Sequence, residues 1–449
     1  MTSRMISRYS FLTITGAVLM AAPLDAQGNP GGNDGARPIT LREAVETAQR
    51  NSPAIVQARG LERNAAAARR AAYGAFIPSL NLTASSNRTQ GVQFFQGQFV
   101  PLSGNPWNYS NGLGANVQLF DGGSRFAELA RVRAAAEVAD VQTLTARFDA
   151  ALQVKQQFYA ALAARESEAA ARTQLEQAEQ QLKASTARVA AGVATKSDSL
   201  RSAIQVGNAQ LAVLTAQNDL RVANAALTRV IGSDALATAA PSDTLMAIAE
   251  LPSEADLERL INEGPAVQLA EANLASARAG KRAQRTSYLP TLNMSYNYST
   301  NQSSRGFSGD NLFLLGGQNP NRQTLNFNFS YTLFNGFSRE AQSVQADVTL
   351  RNAEAQLRDA RLAARQNFTG LMRTIANAQA RVDVQIAAIA AAEEDLRVQQ
   401  QRYQLGASTL LDLLTSQTQL NQARTQLIQA RFDLRVARAQ LESLIGREL

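Results

Sequence analysis

The sequence has 449 residues, a formal net charge of +7, and neither histidine nor cysteine. Thiol nucleophiles, disulfides, histidine general bases and nearly every common zinc or copper site are therefore excluded. Apolar residues make up 45% of the chain but aromatic residues only 6%, so alanine supplies much of the apolar content and long helices in shallow contact are favoured. The arginines alternate with acids along predicted helices, which indicates solvated helix faces, and we expect no nucleic-acid partner.

The first residues have the pattern of a secretory signal peptide. Arg4 and Arg8 precede an apolar run at 11–22, and small residues follow up to Ala26. We predict a signal peptide over 1–26, cleaved after Ala26 or nearby, and a flexible Gly/Pro/Asn linker over 27–38. A membrane anchor is the alternative, but the run is too short to cross about 30 Å of hydrocarbon as a helix. No cysteine follows, so we expect no N-terminal lipid anchor.

Short segments recur in order about half a chain length apart, which predicts an internal duplication. The matched pairs, at an offset of 212 or 214, are Pro53 and Pro265, Pro78 and Pro290, 119–125 (LFDGGSR) and 333–339 (LFNGFSR), and 230–232 and 444–446. Chance similarity between alanine-rich helices would not match prolines and glycines. We predict a first repeat at 39–232, an irregular inter-repeat segment at 233–253 and a second repeat at 254–449.

Each repeat is predicted to contain a helical segment, two strands, a very long helix, a tight turn and a second helix. In the first repeat the two strands, long helix, turn and second helix are expected at about 78–90, 112–121, 124–190, 190–197 and 197–231. In the second repeat they are expected at about 290–302, 322–335, 338–404, 404–409 and 409–445. A proline-free helix of this length would be on the order of 100 Å long, and Leu175, Leu182 and Val189 recur at the heptad spacing of a coiled coil.

The predicted strands alternate apolar residues with small polar ones. In the last strand Leu325, Phe327 and Phe329 alternate with Asn326 and Asn328. A soluble, half-buried sheet is the ordinary interpretation, but all four polar faces carry almost no charge, as in transmembrane barrel strands. Strands in lipid must close into a barrel, and single-chain barrels begin at eight strands. Four strands per chain therefore require several chains to share one barrel.

The chain resembles the TolC family of outer-membrane efflux channels. Four features together carry this resemblance: the duplication, the two strands per repeat, the proline before the first strand and the very long helices. The segment 40–55, TLREAVETAQRNSPAI, and the turns in 189–200 and 403–414 carry the resemblance most specifically. It implies a mainly α fold with membrane β-strands. A homotrimer would share a barrel of 3 × 4 = 12 strands, continuous with a long periplasmic α-barrel of coiled-coil hairpins.

The resemblance also implies a function and its partners. The chain would form a trimeric outer-membrane exit duct of a tripartite efflux or type I secretion system, in contact with outer-membrane lipid. It would passively conduct substrates from an inner-membrane transporter and a periplasmic adaptor (membrane fusion) protein to the outside. The resemblance implies no enzymatic activity, cofactor or metal.

The two matched turns are the candidate sites, as periplasmic tips and entrance. The adaptor-contacting tip residues would be Gly192, Val193, Thr195, Ser197, Gly406, Ala407, Thr409 and Leu410, and the entrance residues Asp198, Tyr403, Ser408, Asp412 and Thr415. Asp412 matches one acid of the family's entrance, whereas the second acid falls on Thr415. Tyr403 and Asp198 match a closing pair whose arginine partner falls on Ser408. Alternatively, the glycines only terminate helices and the aspartates are solvated acids in a first turn.

Two other classes of function fit the sequence less well. A secreted coiled-coil scaffold without a pore would explain the helices but not the four charge-poor strands. An enzyme is disfavoured because histidine and cysteine are missing and no serine–lysine or carboxylate constellation recurs at a useful spacing.

Overall fold

The computed structural model describes residues 36–88, 90–101, 107–241, 252–303 and 321–449. The predicted signal peptide at 1–26 and the linker up to residue 35 lie outside the described residues, as do positions 242–251 of the inter-repeat segment.

The predicted order of elements is confirmed in both halves of the chain. The first half contains β1 (Arg37–Ile39), α1 (Leu41–Asn51), α2 (Pro53–Gly74), β2 (Ser79–Arg88), β3 (Val92–Phe95), β4 (Gln98–Pro101), β5 (Trp107–Phe120), α3 (Ser124–Ala190) and α4 (Lys196–Ile231). The second half contains β6 (Ala237–Ala239), α5 (Glu254–Ile261), α6 (Pro265–Arg285), β7 (Thr291–Ser303), β8 (Asn321–Ser330), α7 (Ser338–Gln404) and α8 (Leu410–Ile445). Both α3 and α7 have 67 residues.

The first helical segment of each repeat is two helices rather than the single one predicted. Pro53 and Pro265 lie in the first turn of α2 and α6. Proline fits there because the first amides of a helix have no intrahelical acceptor, and its φ is already helical. The matched prolines therefore mark a helix start inside each segment.

Two strand boundaries differ from the prediction. Strand β5 begins at Trp107 rather than near residue 112, and β8 ends at Ser330 rather than near 335. Beyond β8, Nη2 of Arg339 donates to the carbonyl oxygens of Thr332 (2.8 Å) and Leu333 (3.3 Å). A side chain thus satisfies carbonyls that would otherwise need a strand partner.

Small β-elements also form where loops were predicted. Strands β3 and β4 pair as a hairpin between β2 and β5, and its turn uses positive φ angles at Gln96 and Gly97. Strand β1, whose first residues were assigned to the linker, pairs in parallel with β6 of the inter-repeat segment. The segment is therefore partly regular.

The long strands form one antiparallel sheet in the order β2-β5-β7-β8, so the two repeats meet at β5 and β7. The register groups apolar side chains on one face. Its rows are Leu82 with Leu113 and Tyr298; Leu80 with Ala115, Tyr296 and Leu325; Val117 with Met294 and Phe327; and Phe120 with Leu292 and Phe329. A bulge between Gln118 and Phe120 brings Phe120 onto this face, since one extra residue reverses the alternation.

The opposite face of the sheet is polar and nearly uncharged. Its rows are Thr83 with Gly112, Ser299 and Arg322; Asn81 with Gly114, Asn297 and Thr324; Ser79 with Asn116, Ser295 and Asn326; and Gln118 with Asn293 and Asn328. A Cβ added at Gly112 would lie 3.0 Å from Thr83 Oγ1, and one at Gly114 would lie 3.1 Å from Asn297 Oδ1. The missing side chains leave room for these polar groups to lie along the strand.

The long helices pack side by side. Helix α3 contacts both α4 and α8, and α7 contacts α8, which gives a layer in the order α4, α3, α8, α7. Nearer the sheet, α2 packs on α3, and α6 contacts both α3 and α7.

Each repeat has its own apolar core. The first surrounds the fully buried Phe158 and Leu162 of α3, and the second includes Phe368 of α7 and Leu441 of α8. Phe432 of α8 belongs to the first core, and Lys155 of α3 forms a largely buried ion pair with Glu442 of α8. These contacts join the two repeats at the level of the cores.

Candidate functional site

The candidate site comprises the two turns that connect α3 with α4 and α7 with α8, here called the tips (191–195 and 405–409). Each long helix ends in the same hydrogen-bond pattern. The amide of Val193 donates to Arg188 O and that of Gly192 to Val189 O, and Ala407 and Gly406 repeat both bonds in the second turn. Both glycines have φ +74°. This left-handed residue after the last helical turn is where glycine is favoured, because it has no Cβ to clash.

Each returning helix begins with a reciprocal cap. Thr195 Oγ1 accepts the amide of Asp198, and Asp198 Oδ2 accepts the Thr195 amide (3.0 Å) and hydroxyl (2.8 Å). Thr409 and Asp412 form the same bonds, with the amide at 2.9 Å and the hydroxyl at 2.7 Å. Both aspartates thus satisfy backbone donors that the helix cannot satisfy itself. The same glycine-to-aspartate spacing in both repeats therefore specifies the end of one helix, the turn and the start of the next helix.

Most of the predicted tip residues are exposed, with one exception. Val193, Ser197, Ala407 and the capping threonines face solvent. Leu410 does not: only 3% of its surface is exposed, because this first residue of α8 packs inward. A contact between Leu410 and an adaptor is therefore excluded unless the tip opens.

Two exposed leucines were missed at the second tip. Leu405 is 84% exposed and Leu411 is 57% exposed. Leu405 directly precedes the terminating Gly406, where the first repeat has Ala191. A large apolar residue beside a helix-ending glycine was the signal that could have identified it, because such a position has little helix surface left to cover it.

The predicted entrance residues make mainly local contacts. Thr415 Oγ1 donates to Leu411 O at 2.9 Å, and Ser408 Oγ donates to Gln399 O at 3.5 Å. The pKa of the Asp412 carboxyl lies below its usual value. The Thr409 hydroxyl and amide donate hydrogen bonds to the carboxylate, and Arg402 places a positive charge nearby. Asp412 therefore stays ionised at pH values where a free aspartate begins to take up a proton.

A contact near the tips joins the two repeats and was not predicted. The guanidinium of Arg188, near the end of α3, lies 4.6 Å from the ring centre of Tyr403 on α7. Its Nη1 also donates to the Tyr403 carbonyl at 3.2 Å. The arginine expected from the resemblance falls on Ser408, and here an arginine of the other repeat contacts the tyrosine instead.

The predicted pairing of Tyr403 with Asp198 is not formed in this structure. The Tyr403 hydroxyl is buried and has no hydrogen-bond partner among the described residues, and the same is true of Arg188 Nε, Gln181 Nε2 and Gln399 Oε1. Unsatisfied buried polar atoms are costly. Each of these atoms therefore carries a desolvation cost that no hydrogen bond within the described residues offsets.

Two further properties of the described residues bear on other kinds of site. None of the helices there combines the length and the apolar composition that crossing a membrane requires. No cluster of three or more carboxylates in the same residues is arranged to hold a metal ion.

The architecture has close counterparts among known proteins. VceC, an outer membrane protein of Vibrio cholerae, superposes with a TM-score of 0.73 at 18% identity and covers 91% of this chain and 96% of its own. The open-state MtrE outer membrane channel of Neisseria gonorrhoeae gives a TM-score of 0.75 at 18% identity, covering 91% and 89%. Identities this low show a shared fold.

Sequence similarity extends over both repeats. Protein CyaE of Bordetella pertussis is 25% identical over an alignment of 413 residues that covers 90% of this chain and 83% of that protein. The profile of the outer membrane efflux protein family matches residues 44–233 and 257–447, one segment in each repeat. The matched family consists of outer membrane efflux proteins and the MtrE neighbour is an outer membrane channel, so the comparisons indicate a channel protein rather than an enzyme. This match to most of the chain shows that the protein belongs to the outer membrane efflux protein family.

Proposed function

We propose that three copies of this chain form an exit duct across the outer membrane, continued by a helical tube in the periplasm. The observation that carries the proposal is that the sheet and the helix layer are both open at both ends. The sheet ends in β2 on one side and β8 on the other. The helix layer ends in α4 and α7.

The open strand edges require a partner of the same kind. In hydrocarbon the unpaired backbone groups of β2 and β8 have no water to bond, so each edge must pair with another strand. β8 of one copy can pair with β2 of the next, because both have ten residues. Three copies close a barrel of 3 × 4 = 12 strands.

The outer helices support the same closure. Both carry exposed apolar residues along their length: Leu200, Ile204, Leu211, Leu214 and Val222 on α4, and Val344, Val348, Leu362, Val384 and Ile386 on α7. The residues on α4 recur at intervals of three, four, seven or eight, which is the spacing of a helix–helix seam. Packing α4 of one copy on α7 of the next would bury both rows and close the helical tube.

In this arrangement the apolar face of the sheet contacts lipid and the polar face lines the pore. The duct would conduct passively. The energy would come from an inner-membrane transporter, linked through a periplasmic adaptor that docks on the tips. Exposed Val193, Leu405 and Leu411 offer the adaptor an apolar surface whose burial would favour binding.

The oligomeric state tests this proposal directly. Native mass measurement of the mature protein in detergent should give a single species of three chains. Planar-bilayer recordings of that species should show an aqueous conductance. A monodisperse monomer inserted in lipid, or a trimer that stays soluble without detergent and does not conduct, would contradict the exit duct and favour a pore-free scaffold.

Asp412 is proposed to act on cations at the periplasmic entrance in addition to capping α8. Asp412→Asn retains an oxygen that can accept the cap hydrogen bonds but removes the charge. We expect the variant to assemble normally and to show weaker divalent-cation block in bilayers, because three symmetry-related carboxylates near the axis attract cations. Asp198→Asn, with the same cap in the first repeat, is the matched control and should change the block less.

The pH dependence of this block follows from the lowered pKa of Asp412. Because the folded-state pKa lies below the usual value, the charge persists through the ordinary aspartate range and is lost only as the pH falls through the lowered pKa. This carboxylate also contributes to folding stability. That contribution is present at higher pH and is lost on acidification, as the charge is. Equal block in Asp412→Asn and the unmodified channel would leave Asp412 with a capping role alone.

A further inference from the structure

The four long strands of the sheet carry very few charges, and all of these are positive. The charged residues of β2, β5, β7 and β8 are Arg88, at the end of β2, and Arg322, near the start of β8. These strands contain no aspartate or glutamate. Because β2 leads away from α2 and β8 leads towards α7, both arginines lie at the end of the sheet remote from the helices. In the proposed duct this end is the outer mouth.

The two arginines lie on opposite faces of the sheet. Arg322 pairs with Ser299 and belongs to the polar face. Arg88 follows Leu82 by six residues in β2. Because side chains alternate between faces along a strand, Arg88 shares the apolar face with Leu82. In the proposed barrel Arg322 therefore points into the lumen, whereas Arg88 points outward.

The guanidinium of Arg322 is available to a group in the lumen. Its side chain is exposed, and within the described part of the chain it takes part in no ion pair or hydrogen bond. Its neighbours across the sheet, Ser299, Gly112 and Thr83, are small and neutral. A guanidinium in these surroundings keeps its charge and all five of its donors for a solute.

Closure of the barrel would bring three copies of Arg322 close together. Twelve strands spaced about 4.8 Å apart and tilted by about 40° enclose a barrel about 24 Å across between backbones. Side chains extended towards the axis would place their guanidinium groups roughly 10 Å from one another. The Debye length is about 8 Å at physiological ionic strength, so the three charges would act together on one multivalent ion.

We propose that the three copies of Arg322 form an anion-binding ring in the lumen near the outer mouth, and that it takes multivalent oxyanions such as phosphates and polycarboxylates. The inference rests on the proposed trimeric duct. Guanidinium groups suit this class of ligand, because their planar donors match two oxygens of a phosphate or carboxylate. The connecting sequences add little opposing charge, since 89–106 has no charged residue and 304–320 has Arg305 and Asp310.

The ring would give the two ends of the duct opposite ion preferences. Asp412 is proposed to attract cations at the tips, and α7 has 67 residues, which places about 100 Å between the tips and the sheet. Because this distance is many Debye lengths, each end acts independently. A multivalent anion that has passed through the helical tube would be stabilised at the ring before its release.

Side-specific block in planar bilayers tests the ring. Trimers are inserted from one chamber into neutral phosphatidylcholine, so that no lipid supplies an anionic headgroup. The chain has no cysteine, and Val193 is exposed at a tip. Fluorescent streptavidin added to one chamber therefore labels biotinylated Val193→Cys and identifies the chamber that faces the tips. Inorganic triphosphate is then added on either side.

Triphosphate should block the unmodified channel at a lower concentration from the mouth than from the tips, and high salt should weaken this block. Arg322→Gln keeps amide donors but removes the charge. We expect it to raise the half-blocking concentration at the mouth by at least about tenfold. Arg88→Gln, which removes the same charge from the opposite face, is the matched control and should leave that concentration unchanged.

Several outcomes would overturn the ring while the duct stands. They are a conducting channel that triphosphate does not block from the mouth, equal block in Arg322→Gln and the unmodified channel, and an equal loss of block in Arg88→Gln. Block that appears only after Asp310→Asn would show that this acid neutralises the arginines, and would overturn the ring in the native protein. A trimer that does not conduct would overturn the duct and the ring together.

Discussion

Phe327→Arg is expected to prevent stable assembly in the membrane. Phe327 pairs with Met294 across the sheet and shares its row with Val117, so it lies in the middle of the apolar face. An arginine on the lipid side of a barrel costs roughly 2–4 kcal/mol near the bilayer midplane. Every copy would incur this cost, and we expect heat-modifiable trimer to disappear from outer-membrane fractions analysed by semi-native electrophoresis.

Asn328→Arg is the matched control one residue away. Asn328 pairs with Asn293 on the polar face, where a cation would meet the water of the pore. This variant should assemble at near-normal levels and shift single-channel conductance or ion preference. Equal assembly defects in the two variants would show that the faces of the sheet have been assigned wrongly.

Gly406→Val should nearly abolish export while leaving the trimer in the membrane. A Cβ at this position would meet no other atom within 4 Å, so the expected defect comes from the backbone. A β-branched residue at φ +74° costs roughly 1–2 kcal/mol or more, enough to lower the ratio of native to altered turn conformations by a factor of about 5–30. Gly192→Val should act in the same way at the first tip. Export of a transported dye and adaptor cross-linking would measure the loss.

Gly406→Asn separates the backbone from the side chain. Asparagine adopts the left-handed conformation more readily than most residues, so this variant should retain most export despite its larger side chain. Similar losses in the valine and asparagine variants would mean that any side chain at the tip blocks docking. Full export in Gly406→Val would mean that the conformation of this turn is not needed.

Local signals in the sequence predicted much of this fold. The long helices, the tips and the strand faces follow from matched glycines, the absence of proline, and alternation, all of which act within a few residues. The capping boxes could also be read locally, because Thr195 precedes Asp198 by the required three positions.

The features that were missed depend on contacts between distant segments. The pairing of β1 with β6 joins residues about 200 positions apart, and three-residue strands carry almost no periodic signal. Beyond the end of β8, the Arg339 side chain donates to the carbonyl oxygen of Thr332, seven residues earlier in the chain. The contact of Arg188 with Tyr403 links the two repeats, and the burial of Leu410 depends on how α8 packs.

The ion pair of Lys155 with Glu442 has a mechanical consequence. It fixes α3 to α8 33 residues (188 − 155) before Arg188, which corresponds to about 50 Å along the helix. Below this pivot each hairpin acts as a long lever, so a tilt of roughly 5° would displace its tip by about 4 Å. In the proposed duct the aperture would then depend on bending stiffness near the pivot as much as on bonds at the tips. A substitution at Lys155 should therefore alter the spread of conductance states, although the ion pair is largely buried.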